Sequence, residues 1–321
     1  MCGFSGLASA SVRALVDFTA APAYSVPSTD AGIPGVSGLL LEGPQGWGEF
    51  SPRGDADAAA AVVAAIEPGT VGWPDPVRGW APVALTIPVG AAQRAAGRIA
   101  DSGCRTVRLP VTGRAELAAA ESAAIRSVRA ALGADGGLRL VLAADSADPG
   151  PGLAALTESA GGVEFIELGH GSAHRAVELR RSTGAPIAAH LTGAEWAELA
   201  RSLDVVVLSV AALGGARRCL RIAEQIGKPV VVASAGESSI GLSAGLALAG
   251  ALPELPYACA LGDLGWLAGD LVESARQLRP RAGRLPVAPM PPAPDPAMLE
   301  RFAITDATEL ARWRERLRRV S

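Results

Sequence analysis

The chain has 321 residues, a formal net charge of −3 and a pI near 5.7. This weak acidic excess gives no electrostatic basis for binding nucleic acid or an anionic membrane surface. Hydrophobic residues make up 49% of the chain and charged residues 19%, which excludes a disordered protein and predicts a large apolar core.

The N-terminal segment, MCGFSGLASASVRALV, has no basic stretch followed by a long apolar one, so no signal peptide is expected. No uninterrupted apolar stretch approaches the roughly 20 residues of a membrane-spanning helix, and we therefore predict a cytoplasmic protein with no membrane partner. The four cysteines show no CxxC spacing, which favours buried free thiols over disulfides or a metal site.

Residues 1–81 are expected to form an α+β cap. Residues 38–52, GLLLEGPQGWGEFSP, predict two short strands joined by a glycine-containing turn, and residues 55–67 predict a helix. The tail, residues 286–321, is rich in proline and then ends in a helical pattern with arginines on one side. We expect this tail to return to the cap and pack on it.

Residues 82–285 alternate short apolar runs with alanine-rich stretches. Most runs are continuously apolar, as expected for strands covered on both faces. The stretches between them, such as residues 114–132 and 215–227, repeat Leu, Ile and Ala at helical spacing. This alternation predicts an α/β fold, a (β/α) barrel of the TIM type. The apolar runs lie at 83–89, 105–111, 138–144, 163–169, 186–190, 205–211, 229–234 and 257–262.

Two segments carry a resemblance to a known family. They are LLLEGPQGWGEFSP, residues 39–52, and LGGARRCLRIAEQIGKPVVVASAGESSIGLSAGLALAGALPELPYACALG, residues 213–262. In these segments, and in the order of its elements, the chain resembles the enolase superfamily and, within it, the o-succinylbenzoate synthases of the menaquinone pathway. The resemblance implies a modified (β/α)8 barrel, of the (β/α)7β form, beneath an α+β capping domain.

The resemblance also implies a reaction in which a proton next to a carboxylate is abstracted and water is lost. It places a lysine pair at Arg108 and Pro110, of which the second is the base, and a further lysine at Ser209. The chain has a single lysine, Lys228, and this residue precedes a strand at the end of the barrel away from the chemistry. The usual activity is therefore not expected.

The metal site of the family is also reduced. The resemblance implies three carboxylates around a divalent ion, usually Mg²⁺, which prefers hard oxygen ligands. Those three positions hold Ala143, Glu167 and His190, so one carboxylate remains. We expect no cofactor, Mg²⁺ included. An ion held by Asp145, Glu167 and His190 is the weaker alternative.

Polar side chains remain at the strand ends, where a barrel of this type carries its active site. Glu167 and His190 lie at equivalent heights on neighbouring strands, so a carboxylate–imidazole pair for acid–base chemistry is predicted. Arg108 is the third candidate catalytic residue, and the alternative is a structural cation paired with Glu167. The candidates for ligand binding are Trp47, Asp145, His170, Ser209, Ser234, Gly236, Glu237 and Asp263.

Several of these candidates have a structural alternative. His190 can be a hydrogen-bonded filler of a vacated pocket, Asp145 a helix cap and Trp47 an anchor between cap and barrel. The turn at residues 233–241, ASAGESSIG, precedes a helix. The resemblance implies that its backbone N–H groups bind a substrate carboxylate, as helix N-termini do.

The sequence favours a repurposed enzyme, a metal-independent cyclase or isomerase of specialised metabolism, pericyclic chemistry included. Without a metal and two lysines the pocket is more apolar, so the expected partner is a hydrophobic small molecule at the barrel mouth. The alternatives are a non-catalytic binding or scaffold protein and a residual o-succinylbenzoate synthase. A monomer and a homodimer are both compatible with the sequence.

Overall fold

The structure, a computed structural model, describes residues 15–142, 150–169, 173–193 and 196–321. The N-terminal part of the described chain is an antiparallel sheet with the strand order β1-β2-β3. One helix covers this sheet. These elements are β1 (Ala23–Val26), β2 (Val36–Gly43), β3 (Gly46–Phe50) and α1 (Ala58–Thr70).

A second unit follows, in which seven parallel strands, β5 to β11, pair in chain order. Its elements begin with β4 (Trp80–Pro82), β5 (Leu85–Thr86), α2 (Ala95–Ser102), β6 (Thr106–Val111), α3 (Ala118–Leu132), β7 (Gly137–Leu142), α4 (Gly150–Ser159) and β8 (Phe165–Leu168). They continue with α5 (Ala176–Thr183), β9 (Ile187–His190), α6 (Trp196–Arg201), β10 (Val205–Leu208), α7 (Val210–Leu213), α8 (Ala216–Ile226), β11 (Val230–Val232) and α9 (Ser239–Ala251).

The parallel sheet closes on itself through residues 259–260. Cys259 forms a parallel bridge with Val83, just before β5, and Ala260 forms one with Ala233, just after β11. The inward-facing side chains of the closed sheet make a separate apolar cluster. This cluster consists of Phe165, Ala188, Val205, Val207, Val231, Ala233 and Ala260. The fold is therefore a modified TIM-type barrel, as predicted.

The C-terminal segment pairs first with the barrel base and then packs on the N-terminal sheet. Its elements are β12 (Arg284–Pro286), α10 (Pro296–Arg301) and α11 (Ala307–Arg318). β12 pairs antiparallel with β4, and Ile304 and Leu317 join an apolar cluster with Leu39, Phe50 and Val62. The sheet, α1 and this tail together form the capping domain.

Gly48 sets how closely α1 approaches the cap sheet. A Cβ atom at Gly48 would lie 1.7 Å from the backbone oxygen of Ala65 on α1. No side chain larger than hydrogen fits this gap, so glycine is required at this position in β3.

Most strands are shorter than the apolar runs that predicted them. The run at 205–211 ends as a strand at Leu208, because Ser209 precedes a short helix that begins at Val210. Cys104, Cys219 and Cys259 are buried free thiols, as expected, while Cys2 lies outside the described residues. Within the described ranges, no helix combines the length and apolarity needed to cross a bilayer.

Candidate active site

A cavity of about 370 Å³ opens where the barrel strands end and the cap covers them. The barrel contributes polar side chains from several strand ends. The cap contributes mainly apolar groups, together with Arg53. The described cap residues that line the cavity are Gly32, Ile33, Pro34, Val36 and Arg53.

Arg108 and Glu167 form a two-pronged ion pair in this cavity. Nε of Arg108 donates to Oε2 of Glu167 at 3.0 Å, and Nη2 donates to Oε1 at 2.6 Å. The two residues lie on β6 and β8 with β7 between them, and both point into the barrel. The Glu167 side chain is fully buried, whereas that of Arg108 is 12% exposed. Parallel hydrogen bonds of this kind are strong and fix the orientation of both groups.

His190 completes the group from β9. Its Nε2 lies 2.9 Å from Oε1 of Glu167, the oxygen that also accepts from Arg108. An ionised carboxylate accepts hydrogen bonds and does not donate them, so Nε2 of His190 carries a hydrogen. The predicted carboxylate–imidazole contact is present, and so is the predicted pairing of Arg108 with Glu167.

Glu167 stays ionised despite its burial. Burial by itself would raise the pKa of this carboxyl, but the charge of Arg108 and the hydrogen bonds from His190 and Arg108 outweigh it. The result is a pKa held well below the ordinary range of a glutamate. The Glu167 carboxylate is therefore a fixed negative charge and not a proton carrier near neutral pH.

Thr86 and Asp263 hold Arg108 from the other side. Nη1 of Arg108 donates to Oγ1 of Thr86 at 2.7 Å, and that hydroxyl donates to Oδ2 of Asp263 at 2.6 Å. The backbone N–H of Thr86 donates to Oδ1 of Asp263 at 2.7 Å. A continuous hydrogen-bonded network thus crosses the barrel mouth from Asp263 to His190.

The turn before α9 is closed by its own glutamate. The N–H of Ala235 donates to Glu237 at 2.9 Å, the N–H of Gly236 donates to it at 3.1 Å, and the Ser234 hydroxyl donates to it as well. Burial raises the pKa of Glu237, and the Ser234 hydrogen bond partly opposes this. The N–H groups that the resemblance assigns to a substrate carboxylate therefore have an internal acceptor here.

The cap is joined to the same helix end through Glu49. Its carboxylate accepts from the Tyr24 hydroxyl, from the backbone N–H and hydroxyl of Ser238, and from the N–H of Gly241 at 3.0 Å. Burial raises the pKa of Glu49 to about 6; hydrogen bonds from Ser238 and Tyr24 lower it, and the charge of Glu237 raises it further. Cap and cavity wall thus meet at one buried pair of carboxyl groups.

The other predicted site residues are placed as follows. Asp263, Ser234, Gly236 and Glu237 line the cavity. The cavity lining, as far as the described residues go, includes neither Ser209 nor Trp47. Ser209 is buried before α7, and Trp47 packs against the main apolar core. Asp145 and His170 lie outside the described residues, and their ligand-binding roles stay predictions.

Comparison with known proteins gives relatives that match over most of the chain. The family described as "Enolase C-terminal domain-like" matches residues 90–292. An o-succinylbenzoate synthase of Thermobifida fusca is 40% identical over 83% of this chain and 86% of its own length. One of Mycobacterium ulcerans is 37% identical, over 85% of this chain and 84% of its own.

The chain belongs to the enolase superfamily. Solved structures agree with this fold. Muconate cycloisomerase from Pseudomonas fluorescens has a TM-score of 0.71 at 20% identity, with 90% of this chain and 98% of that one covered. Muconate lactonizing enzyme from Pseudomonas putida has a TM-score of 0.69 at 19% identity, with 90% and 99% covered.

The residues of this superfamily member do not fit the divalent ion that the family implies. Both oxygens of the Glu167 carboxylate accept from Arg108, and a guanidinium next to them repels a second cation. His190 bonds the same carboxylate through Nε2, so that nitrogen has no lone pair for a metal. Among the described residues, no group of three His, Cys, Asp or Glu side chains could hold a metal ion.

Among the contributors to the site that were not predicted from the sequence are Thr86, Arg53 and Ile33. Thr86 ends the first barrel strand, and that position is a usable signal because active-site residues of this fold follow strand ends. Arg53 and Ile33 reach the cavity only because the cap folds over the barrel. No pattern within their own segments indicates this.

Proposed function

We propose that this superfamily member is an isomerase or cyclase that acts on a mainly apolar small molecule without a divalent ion. The observation that carries this proposal is the two-pronged Arg108–Glu167 ion pair. It brings a positive charge to the buried carboxylate that the resemblance assigns to the family's metal site. A guanidinium stabilises negative charge on a substrate oxygen and needs no metal to do so.

Arg108 retains donors for a ligand. A guanidinium has five N–H bonds, and those to Glu167 and Thr86 use three of them. The other two, one on Nη1 and one on Nη2, make no hydrogen bond to a described residue. Because Glu167 and Thr86 fix the plane of the guanidinium, these donors are oriented before a ligand binds. Such preorganised donors are effective in a site that excludes water.

The lining supports an apolar ligand with a carbonyl or similar oxygen. Ile33, Pro34 and Val36 from the cap and Leu264 and Leu267 from the barrel line the cavity. A pocket of mostly apolar lining with a few fixed polar groups is typical of small-molecule sites. Arg108 is the cation held by Thr86 and Glu167 that retains donors, so we place the reacting oxygen of the ligand there.

The test is binding of 2-naphthol, an apolar enol, measured by isothermal titration in EDTA. We expect saturable binding of one molecule per chain. Ile33→Asn, which puts an amide in the apolar lining, should weaken this binding about tenfold or more, at about 1.4 kcal/mol per factor of ten. Val77→Asn is the matched control, because Val77 is 67% exposed and lies outside the cavity lining. Binding that requires added metal, or no binding, would contradict the proposal.

A second candidate function is a residual o-succinylbenzoate synthase, favoured by the names of the relatives at 36–40% identity. The resemblance places Pro110 at the position of the base and Ser209 at that of the opposing lysine, so by that assignment this candidate lacks both groups that move the proton. Formation of o-succinylbenzoate that stops in EDTA would establish this second function.

A scaffold role instead predicts that Glu167→Gln and His190→Gln leave the biological role intact.

A further inference from the structure

Three carboxylates among the described residues line the cavity, and they differ in how much of each a ligand could reach. Glu167 has a fully buried side chain, and Glu237 is 7% exposed. The side chain of Asp263 is 26% exposed. Glu167 is also bonded to Arg108 and His190, and Glu237 to the turn that precedes α9. Of these three, Asp263 is therefore the carboxylate with surface left for a ligand.

Asp263 is also held firmly in place. It begins a short 3-10 helix, Asp263–Trp266, directly after the strand segment that closes the barrel. The N–H and hydroxyl of Thr86 each donate to one of its oxygens, at 2.7 and 2.6 Å. Each carboxylate oxygen has two acceptor positions, so both retain capacity for a ligand. A base that is fixed in this way needs no rearrangement before it reacts.

The neighbour of Asp263 is the guanidinium that binds the ligand oxygen in our proposed function. Nη1 of Arg108 lies 3.6 Å from Oδ2 of Asp263. In a ketone, the carbonyl oxygen and a hydrogen on the adjacent carbon lie about 3 Å apart or less, given ordinary bond lengths near 1.2–1.5 Å. One ligand can therefore place its carbonyl oxygen on Arg108 and its adjacent C–H bond at Asp263.

We propose that Asp263 is the catalytic base of this site and that Arg108 holds the enolate oxygen, so that the substrate is an apolar ketone with an acidic adjacent C–H bond. This inference rests on the proposed function and adds its base and its substrate class. An aspartate base beside fixed oxyanion donors is a sufficient set of groups for ketone isomerisation.

The step balances without any other reactant. The C–H bond next to the carbonyl breaks, and its proton goes to an oxygen of Asp263. The electron pair forms the carbon–carbon double bond of the enolate, and the negative charge moves to the oxygen held by Arg108. Return of the proton to the same carbon gives exchange, and its return to a conjugated carbon gives an isomer. No oxidant or reductant is involved.

The experiment measures exchange of the protons next to the carbonyl of 2-tetralone in D₂O by NMR, with EDTA present. The wild-type protein should accelerate the exchange. Asp263→Asn should reduce that acceleration about 100-fold or more, the usual contribution of general acid–base catalysis. Asp75→Asn is the matched control, because Asp75 is exposed and does not line the cavity.

A second readout separates loss of the base from loss of the site. The amide oxygen that Asp263→Asn introduces can still accept from Thr86, so binding of 2-naphthol should persist in this variant within about threefold. Asp263→Glu, which keeps the carboxylate but moves it, should keep binding and recover part of the exchange.

The outcomes distinguish the two proposals. Exchange that survives Asp263→Asn, or wild-type protein that binds 2-naphthol without accelerating exchange, would overturn the role of Asp263 and leave the proposed function standing. Failure of wild-type protein to bind 2-naphthol would overturn the proposed function and the inference with it. Loss of exchange in Asp263→Asn, with binding of 2-naphthol retained in the same variant, would support both proposals.

Discussion

Arg108 supplies a fixed positive charge to the buried carboxylate of Glu167, at a site where family resemblance implies a divalent ion. Such a pair is costly to desolvate, so its presence is weak evidence of a gain in stability. Removal of one partner is strongly destabilising, because it leaves a buried charge without an opposite charge beside it. The pair therefore couples the electrostatics of the site to the stability of the barrel.

Arg108→Met should lower the free energy of unfolding by about 3–5 kcal/mol, the usual result of breaking a buried ion pair. Arg319→Met is the control, since Arg319 is 65% exposed in its pair with Glu315 and should change stability by about 1 kcal/mol or less. Urea denaturation followed by circular dichroism measures both. Adding Glu167→Leu to Arg108→Met should restore part of the loss, and equal losses for the two arginine variants would refute this account.

Glu49 should make stability depend on pH in a defined window. Its folded pKa of about 6 lies above the ordinary glutamate value of 4.5, so the folded state binds its proton more tightly than the unfolded state does. The stabilisation from this proton is complete below the unfolded pKa and is lost as pH rises through 6. Glu67, Glu237 and Asp270, whose pKa values burial also raises, act in the same direction.

The measurement is urea denaturation at pH 4.5 and at pH 6.5. Between these values, wild-type protein should lose about 1.5 kcal/mol more stability than Glu49→Gln, since one pKa unit corresponds to about 1.4 kcal/mol and the effect is not yet complete at pH 4.5. Glu49→Gln should also be less stable than wild type at both pH values, because an amide cannot accept the four hydrogen bonds at this position. Glu42→Gln, at an exposed site on β2, should keep the wild-type slope. An unchanged slope in Glu49→Gln would rule out Glu49 as the source.

At the scale of elements, the contact between β3 and α1 shows how closely the cap is packed. Gly48 brings the strand backbone against Ala65, where a Cβ atom would lie 1.7 Å from the backbone oxygen. Backbone on both sides cannot rotate away as a side chain can. The clash could be removed only by moving the sheet and the helix apart, and this would also move Glu49, the next residue on β3.

Gly48→Ala should therefore destabilise the protein by about 3 kcal/mol or more, the upper range for overpacking. Gly97→Ala is the matched control on α2, where an added Cβ would meet nothing within 4 Å. It should stabilise the protein by about 0.5–1 kcal/mol, because alanine is the better helix former. The changes in stability of the two variants, measured by thermal and urea denaturation, should have opposite signs. A Gly48→Ala variant as stable as wild type would contradict the packing described for the cap.

The elements also show how far the sequence predicts this structure. Apolar runs located the barrel strands because both faces of a parallel sheet are buried, and the family resemblance, together with the polar groups near the strand ends, indicated Arg108, Glu167 and His190. The ends of the strands were predicted less well. The strand in the run at 205–211 ends at Leu208, but the run stays apolar because the buried helix that begins at Val210 is apolar too. Arg53 and Ile33 were not predicted, because only the docking of the cap brings them to the cavity.

At the scale of the molecule, the candidate site belongs to neither domain alone. The barrel holds the charged network and part of the apolar lining, and the cap adds further apolar lining through Ile33, Pro34 and Val36. A ligand that fills the cavity contacts both domains and should stabilise the folded protein as a whole. Metal ions should not, because the carboxylate they would need is bonded to Arg108.

Thermal denaturation distinguishes these two kinds of ligand in one assay. A ligand that binds the folded state at 100 times its Kd adds about 2.7 kcal/mol to stability, which for a protein of this size corresponds to a rise in Tm of at least about 2 °C. We expect such a rise with saturating 2-naphthol in EDTA, and a change within about 1 °C with millimolar Mg²⁺ or Mn²⁺. Ile33→Asn should reduce the rise, whereas Val77→Asn should keep it. A rise with Mn²⁺ that disappears in Glu167→Gln would show that the ion displaces Arg108, and the metal-free reaction would then have to be abandoned.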